Sequence, residues 1–434
     1  MQALLQDVRY ALRTLRTHAG STFVIVASLA IGIGATSAIF SVVNALLLKP
    51  LPYPDPDRLA ILWLRSPGIN IPEDWPSPGQ YIDIQNENRS FELMSISRGG
   101  SGTLLGLERP ERVEGLRTSS SLFRLLGAKA VHGRLLVEDD DVPGRTPVVV
   151  LSHGAWRRLF GGDPQVVGKS LTLNGFGGGA GESKNQFTVA GVLDSSFLLN
   201  AEIMPTVANI RQMDIYLPLP LGADAVTRRG DENFNLLARL KPGVTMAQAD
   251  ADVEAIAARI RDKDKRDRTF TIDVVPLHQQ VVGNVQRSLL VLWGSVGLVL
   301  LIACANVANL LLTRASGRQR EVAIRTALGA SWRRLVRQLL TESLLVGVLG
   351  GAAGLVIARV SLAVVRSMNP GNIPRLDAIS IDGNVLAFTF GVALLTGLIF
   401  GLAPAVRAAR VDLNTSLKAG GRTQQTEGGF GSTR

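Results

Sequence analysis

Few residues in this chain are of a type and spacing that could do chemistry. Gly162–Ser170, GDPQVVGKS, comes nearest to a phosphate-binding loop, in which glycine N–H groups cradle phosphates and a lysine reaches the outer ones. That chemistry needs four residues between the first glycine and the Gly-Lys pair. Here there are five, position 163 is aspartate, and a β-like run, LTLNG, follows where a helix is required. The stretch therefore reads as a turn before a strand, and Gly175–Gly181, GFGGGAG, as a loop tip rather than a nucleotide site. Ser152 and His153 have no base or orienting acid at a diagnostic spacing. His18, His132, His153 and His278 form no metal-ligand pattern, and Cys304, the only cysteine, lies in an apolar run. The expectation is no catalytic, cofactor-binding or metal site in this chain, and no enzyme.

The stretch that remains is Arg314–Glu342, RASGRQREVAIRTALGASWRRLVRQLLTE, between two apolar runs. It holds seven arginines against two acids, Glu321 and Glu342. A short arginine-dense loop between membrane-length segments marks the cytoplasmic side, because positive charge stays behind when a segment inserts. Ile324, Ala327 and Leu328 have helical spacing, Gly329 can close that helix, and Ser331 can cap another. Trp332, Leu335, Val336, Leu339 and Leu340 then share one face. The pattern predicts a short exposed helix, a turn, and an amphipathic helix lying on the bilayer before the chain turns inward. A bare membrane anchor has no need of the first helix. An exposed surface that receives work done elsewhere does.

The elements that position this loop follow from hydropathy and charge. Residues 49–287 carry 28 basic and 29 acidic residues, whereas 1–20, 314–342 and 407–434 together carry 15 basic and five acidic ones, a net of +10. The excess is thus a topology signal; no basic patch interleaved with aromatics points to nucleic acid. Residues 1–20 predict an amphipathic cytoplasmic entry helix, with Leu4, Val8, Leu12 and Leu15 on one side and Arg9, Arg13 and Arg16 on another. Ser21–Leu48 is too long for a signal peptide and reads as transmembrane helix 1 (21–48). Residues 49–287 open on PLPYPDPDR, which forbids a continuing helix. Short β-rich runs follow at Leu59–Arg65, Arg112–Thr118, Val148–Ser152, Ser170–Asn174, Phe187–Leu193 and Thr269–Val275. A helix is expected over Thr245–Lys263, with Thr245 and Gln248 at capping-box spacing.

Further spans are expected at 288–313, 343–365 and 383–406, with a cytoplasmic loop at 314–342, a short outer loop at 366–382 and a partly disordered tail at 409–434. The fold class is therefore an α-helical membrane protein with four transmembrane helices and a large mixed α+β domain between helices 1 and 2. At about 42 and 39 Å the first two spans exceed the ~30 Å hydrocarbon core, so they either tilt or continue outward as a stalk. Gly347, Gly350, Gly351, Gly354, Gly397 and Gly401 recur at spacings that let helices approach closely, within the chain or between chains.

The blocks DVRYALRTLR and SLAIGIGATSAIFSVVNALLLKPLPYPDPDRL, then HGRLLVEDDD, VVVLSHGAWRRLFGGDPQVVGKSLTLNG and FTVAGVL, then ANVANLLLTRASGRQREVAIRTALGAS resemble MacB/FtsX-type ABC transporter permeases. The resemblance is nearest to the duplicated orphan permeases first noted in acidobacteria, of which one copy is present here. It implies a periplasmic core domain over 49–287, an FtsX-like permease domain over 288–408, and an inner-membrane location with both termini cytoplasmic. It also implies a homodimer or pseudo-dimer, a periplasmic accessory protein, and contact with membrane lipid but no nucleic acid. A separate cytoplasmic ABC ATPase, carrying ATP and Mg, would dock on Arg320, Glu321, Ala323, Ile324, Arg325, Leu328, Gly329 and Ala330. ATP-driven motion would then pass to the periplasm for export or extraction of a substrate. The alternative is an FtsX-like scaffold that regulates a periplasmic cell-wall hydrolase without transport.

Overall fold

The computed structural model describes residues 2–66, 71–176, 185–199, 203–206, 210, 213–263, 269–317, 332–368 and 379–409. The chain divides into two compact units, one of residues 1–49 and 285–434, the other of 50–284. The first opens with helices α1 (Gln2–Thr17) and α2 (Ala19–Val43), separated by His18, whose backbone leaves the helical region; a π-helical turn, Asn44–Leu48, ends α2. Pro50 and Pro52 lie just beyond, and neither can continue the helix.

The second unit holds strands β1 (Leu59–Ser66) and β2 (Ile71–Asp74), helix α3 (Pro78–Glu87), strands β3 (Phe91–Leu105) and β4 (Glu111–Thr118), and helix α4 (Ser121–Leu126). It continues with β5 (Ala130–Gly133), β6 (Val148–Leu151), α5 (His153–Phe160), β7 (Ser170–Asn174), β8 (Asn185–Leu193), β9 (Ile215–Pro218), β10 (Asn235–Leu240), α6 (Met246–Lys263) and β11 (Thr271–Pro276). The expected strands form, with ends shifted by a residue or two. The turn expected at Gly162–Ser170 is a 3₁₀ turn, Pro164–Val166, running into β7, and Lys169 is spent on Asp163 at 2.8 Å. α6 begins at the capping box: Gln248 N–H donates to Thr245 Oγ1, and Thr245 N–H to Gln248 Oε1.

Pairing gives two cores on one sheet. β11, β1, β10 and the first half of β3 form an antiparallel sheet, covered by α3 and α6. There Leu62, Leu64, Ile96, Leu236 and Val274 meet Tyr81, Ile84, Val253, Ile256 and Ile260. The second half of β3 pairs with both β4 and β7. Through β9, β6 and β8 this closes a ring of strands, with parallel pairing at β4–β9 and β6–β8. Val113, Val149, Leu171, Phe187, Val189 and Ile215 fill the second core. Each such side chain contributes about 1.5–3 kcal/mol on burial. Gly115 permits the closure, since a Cβ there would meet the Ile215 carbonyl oxygen of β9.

The remaining helices are α7 (Leu277–Gly317), α8 (Trp332–Met368) and α9 (Gly383–Ala409). Three described helical stretches, Ala19–Leu48, Val285–Leu310 and Val336–Met368, are long and apolar enough to cross a membrane. A fourth, Gly383–Ile399, is apolar but shorter within the described residues. α7 starts eleven residues before Ser288, directly after β11, so the apolar span is part of a longer helix. One expectation is corrected. The expected break between a surface helix and the third span does not occur, because α8 is one helix. Between Trp332 and Val346 there is no glycine or proline, and leucine, arginine, glutamine and glutamate favour helix continuation.

Candidate functional site

α8 is the helix that follows the arginine loop in the chain. Residues 318–331 lie outside the described residues, and with them all eight expected docking positions: Arg320, Glu321, Ala323, Ile324, Arg325, Leu328, Gly329 and Ala330. What the structure places is the helix that leaves this loop and everything it leans on.

Near the start of α8, Arg337 Nε donates to Asp7 Oδ2 of α1 at 2.6 Å. Asp7 is buried, together with Ala11, Thr14 and Leu15, so these residues form the packed face of α1. Arg9, Leu12, Arg13 and Arg16 are exposed. Leu12, on the stripe expected to lie against the bilayer, is exposed, and Asp7 is turned in to meet its partner.

Further along, α8 packs backbone to backbone against α2. A Cβ on Gly34 would lie 2.8 Å from the Gly354 carbonyl oxygen, and one on Gly354 would lie 3.0 Å from the Gly34 nitrogen and 3.1 Å from the Ala30 oxygen. Gly350 faces Leu29. On its other side α8 meets α9: Gly347 and Gly351 face Ala393, and Gly397 faces Ser343 and Leu344. Gly401 falls outside the residues whose packing is described. Side chains this small give close van der Waals contact where no hydrophobic drive exists between helices. α7 also touches α2, with Leu300 and Ala303 over Gly32 and Trp293 6.3 Å from Phe40. Gly32 and Gly34 were not singled out from the sequence. The run AIGIGATSA in the first span was the available signal.

α2 and α9 are joined at three levels. Ser37 and Thr389 hydroxyls are 2.8 Å apart, and Phe40 stacks on Phe388 with centroids 4.0 Å apart. At the end of α2, Lys49 Nζ lies 2.8 Å from Asp382 Oδ2, which also accepts from Asn44 Nδ2 at 3.0 Å. Asp382 Oδ1 caps α9 by accepting from Val385 N–H at 3.0 Å. The hydrogen bond from Lys49 holds the Asp382 carboxyl below its usual range. Among the described residues no group of histidine, cysteine and acidic side chains could hold a metal ion. α8 carries contacts from its loop end to α1, α2 and α9.

One chain thus holds a mixed-sheet unit and several long apolar helices. Residues 22–256 match the MacB-like periplasmic core domain, and the chain belongs to that family; residues 293–413 match the FtsX-like permease C-terminal family. The chain is 36% identical over 134 residues to the pyoverdine export ATP-binding/permease protein PvdT of Pseudomonas syringae, covering 31% of this chain and 19% of the relative. It is 35% identical over 132 residues to the macrolide export ATP-binding/permease protein MacB of Wolinella succinogenes, covering 30% and 19%. It therefore spans about a fifth of the length of these relatives. The periplasmic region of MacB from Actinobacillus actinomycetemcomitans is similar at 18% identity and a TM-score of 0.37, over 52% of this chain and 93% of that one.

Proposed function

We propose that this chain is a permease subunit of a MacB-type ABC transporter. It spans the inner membrane four times, with both termini and the arginine loop in the cytoplasm and residues 49–287 in the periplasm. A cytoplasmic ATPase docks on the loop, with Glu321 and Arg325 as the principal contacts, and ATP and Mg are held by that partner. Its closure moves α8, and the movement reaches the domain outside, driving export or extraction of a substrate. A second permease copy and a periplasmic accessory protein complete the assembly. The observation that carries this reading is the presence, in order in one chain, of a MacB-like core domain and an FtsX-like permease segment. The relatives' names as export proteins support transport over the scaffold alternative.

The test is Glu321→Lys in the full chain, reconstituted with its ATPase. Membrane insertion and melting should be unchanged while stimulation of ATP hydrolysis by the permease is lost. Stimulation that persists in the variant overturns the docking assignment.

A further inference from the structure

The two cores of the soluble unit lie along one face of the β3–β4 pair. On β3 that face carries Ile96, in the first core, then Arg98, Gly100 and Gly102, then Leu104, in the second. Opposite Arg98 across the pair stands Arg117; the next rung is Gly100 and Gly115, which carry no side chain. Two arginines therefore face each other where one hydrophobic core ends and the other has not begun.

Like charges directly opposed on neighbouring strands destabilise a sheet, and partly buried charges are ordinarily paired. Among the described residues neither guanidinium has an acidic partner or a hydrogen bond. Arg98 lies over the Phe234 ring, 5.6 Å from its centroid, which steadies it but leaves its N–H groups open. Burial, and then the charge of Arg98, push the Arg117 guanidinium below its ordinary pKa. Elsewhere in the same unit other arginines are engaged: Arg134 on Asp140, Arg158 on Asp214, Arg229 on Asp83.

We propose that Arg98 and Arg117 form a binding site for an oxyanion, a carboxylate or phosphate group of a ligand held at the junction of the two cores. Two planar forks on adjacent strands suit an anion shared between them, and charge-assisted hydrogen bonds from arginine are the strong ones. Phe234 is buried in the first core and fixes Arg98 from below, so the ligand is defined by its oxyanion alone. The site belongs to the soluble unit alone and stands whether or not the transport reading holds.

The full chain, purified in detergent, is melted in rising inorganic phosphate and, separately, in rising citrate, with ionic strength held constant by sodium chloride. The wild type should gain about 2 °C or more at saturation, because a ligand bound only to the folded state stabilises it. The larger response of the two identifies phosphate or carboxylate as the preferred source. Arg117→Met keeps the apolar stem and should lose the gain; without anion it should melt no lower than the wild type, since the like-charge pair is relieved. Arg98→Lys keeps the charge but not the fork and should retain less than half of the gain. No response to either anion in the wild type, or a full response in Arg117→Met, overturns the site.

Discussion

At the residue scale, the closest approaches predict the sharpest effects. Gly34→Leu puts a side chain where the Gly354 carbonyl already sits 2.8 Å from an ideal Cβ. Overpacking of this kind costs about 1–3 kcal/mol, and the variant should melt lower than the wild type in detergent, whereas Gly391→Leu, at a glycine with nothing within 4 Å, should not. Asp382 offers a pH test. Its carboxyl is depressed by Lys49, so the stability it contributes is present above the unfolded pKa and is lost as pH falls through the folded one. The difference in melting midpoint between wild type and Asp382→Asn should hold steady from neutrality to about pH 5 and shrink below about pH 4. A difference unchanged at pH 3 would remove the ion pair from the account. Neither contact was legible in the sequence. Spacing revealed that glycines recur along a helix, but not which backbone each one meets, and Lys49 and Asp382 are separated by most of the chain.

At the element scale, the Asp7–Arg337 ion pair joins α1 to α8 within a packed face. Arg337→Gln alone strands the Asp7 carboxylate among buried neighbours. It should therefore lower the melting midpoint more than the double variant Asp7→Asn, Arg337→Gln. Equal losses would mean that the pair contributes nothing beyond its separate side chains. In the soluble unit, Thr245→Ala removes the hydroxyl that caps α6 and should cost about 1 kcal/mol in urea unfolding. That cap was readable, because it is a local code of two residues at fixed spacing. β3 was not readable. Its middle, RGGSG, has the composition of a loop, and it is a strand only because β4, β7 and β10 pair with it. The single helix α8 was read as two pieces for the opposite reason: its charged first turns and apolar remainder differ in composition but not in helical propensity.

At the scale of the whole molecule, the proposed topology makes a labelling prediction. In a Cys304→Ala background, Ser316→Cys should react with a membrane-impermeant maleimide only after cells are broken, and Ser195→Cys, on the soluble unit, in intact spheroplasts. Reversed reactivity would invert the orientation. This proposed orientation rests on charge asymmetry in the sequence, since insertion is biased by the lysines and arginines of short loops rather than by tertiary contacts. The arginine pair between the cores was invisible, because Arg98 and Arg117 become neighbours only once β3 and β4 are in register. That same strand has a consequence for how the exterior comes apart. β3 is a common beam for the sheet and the closed ring, so neither can melt and leave its neighbour standing. Amide exchange should give the slowest protons of both cores one shared opening energy, and a protease nick at Gly99 should dissolve the two together.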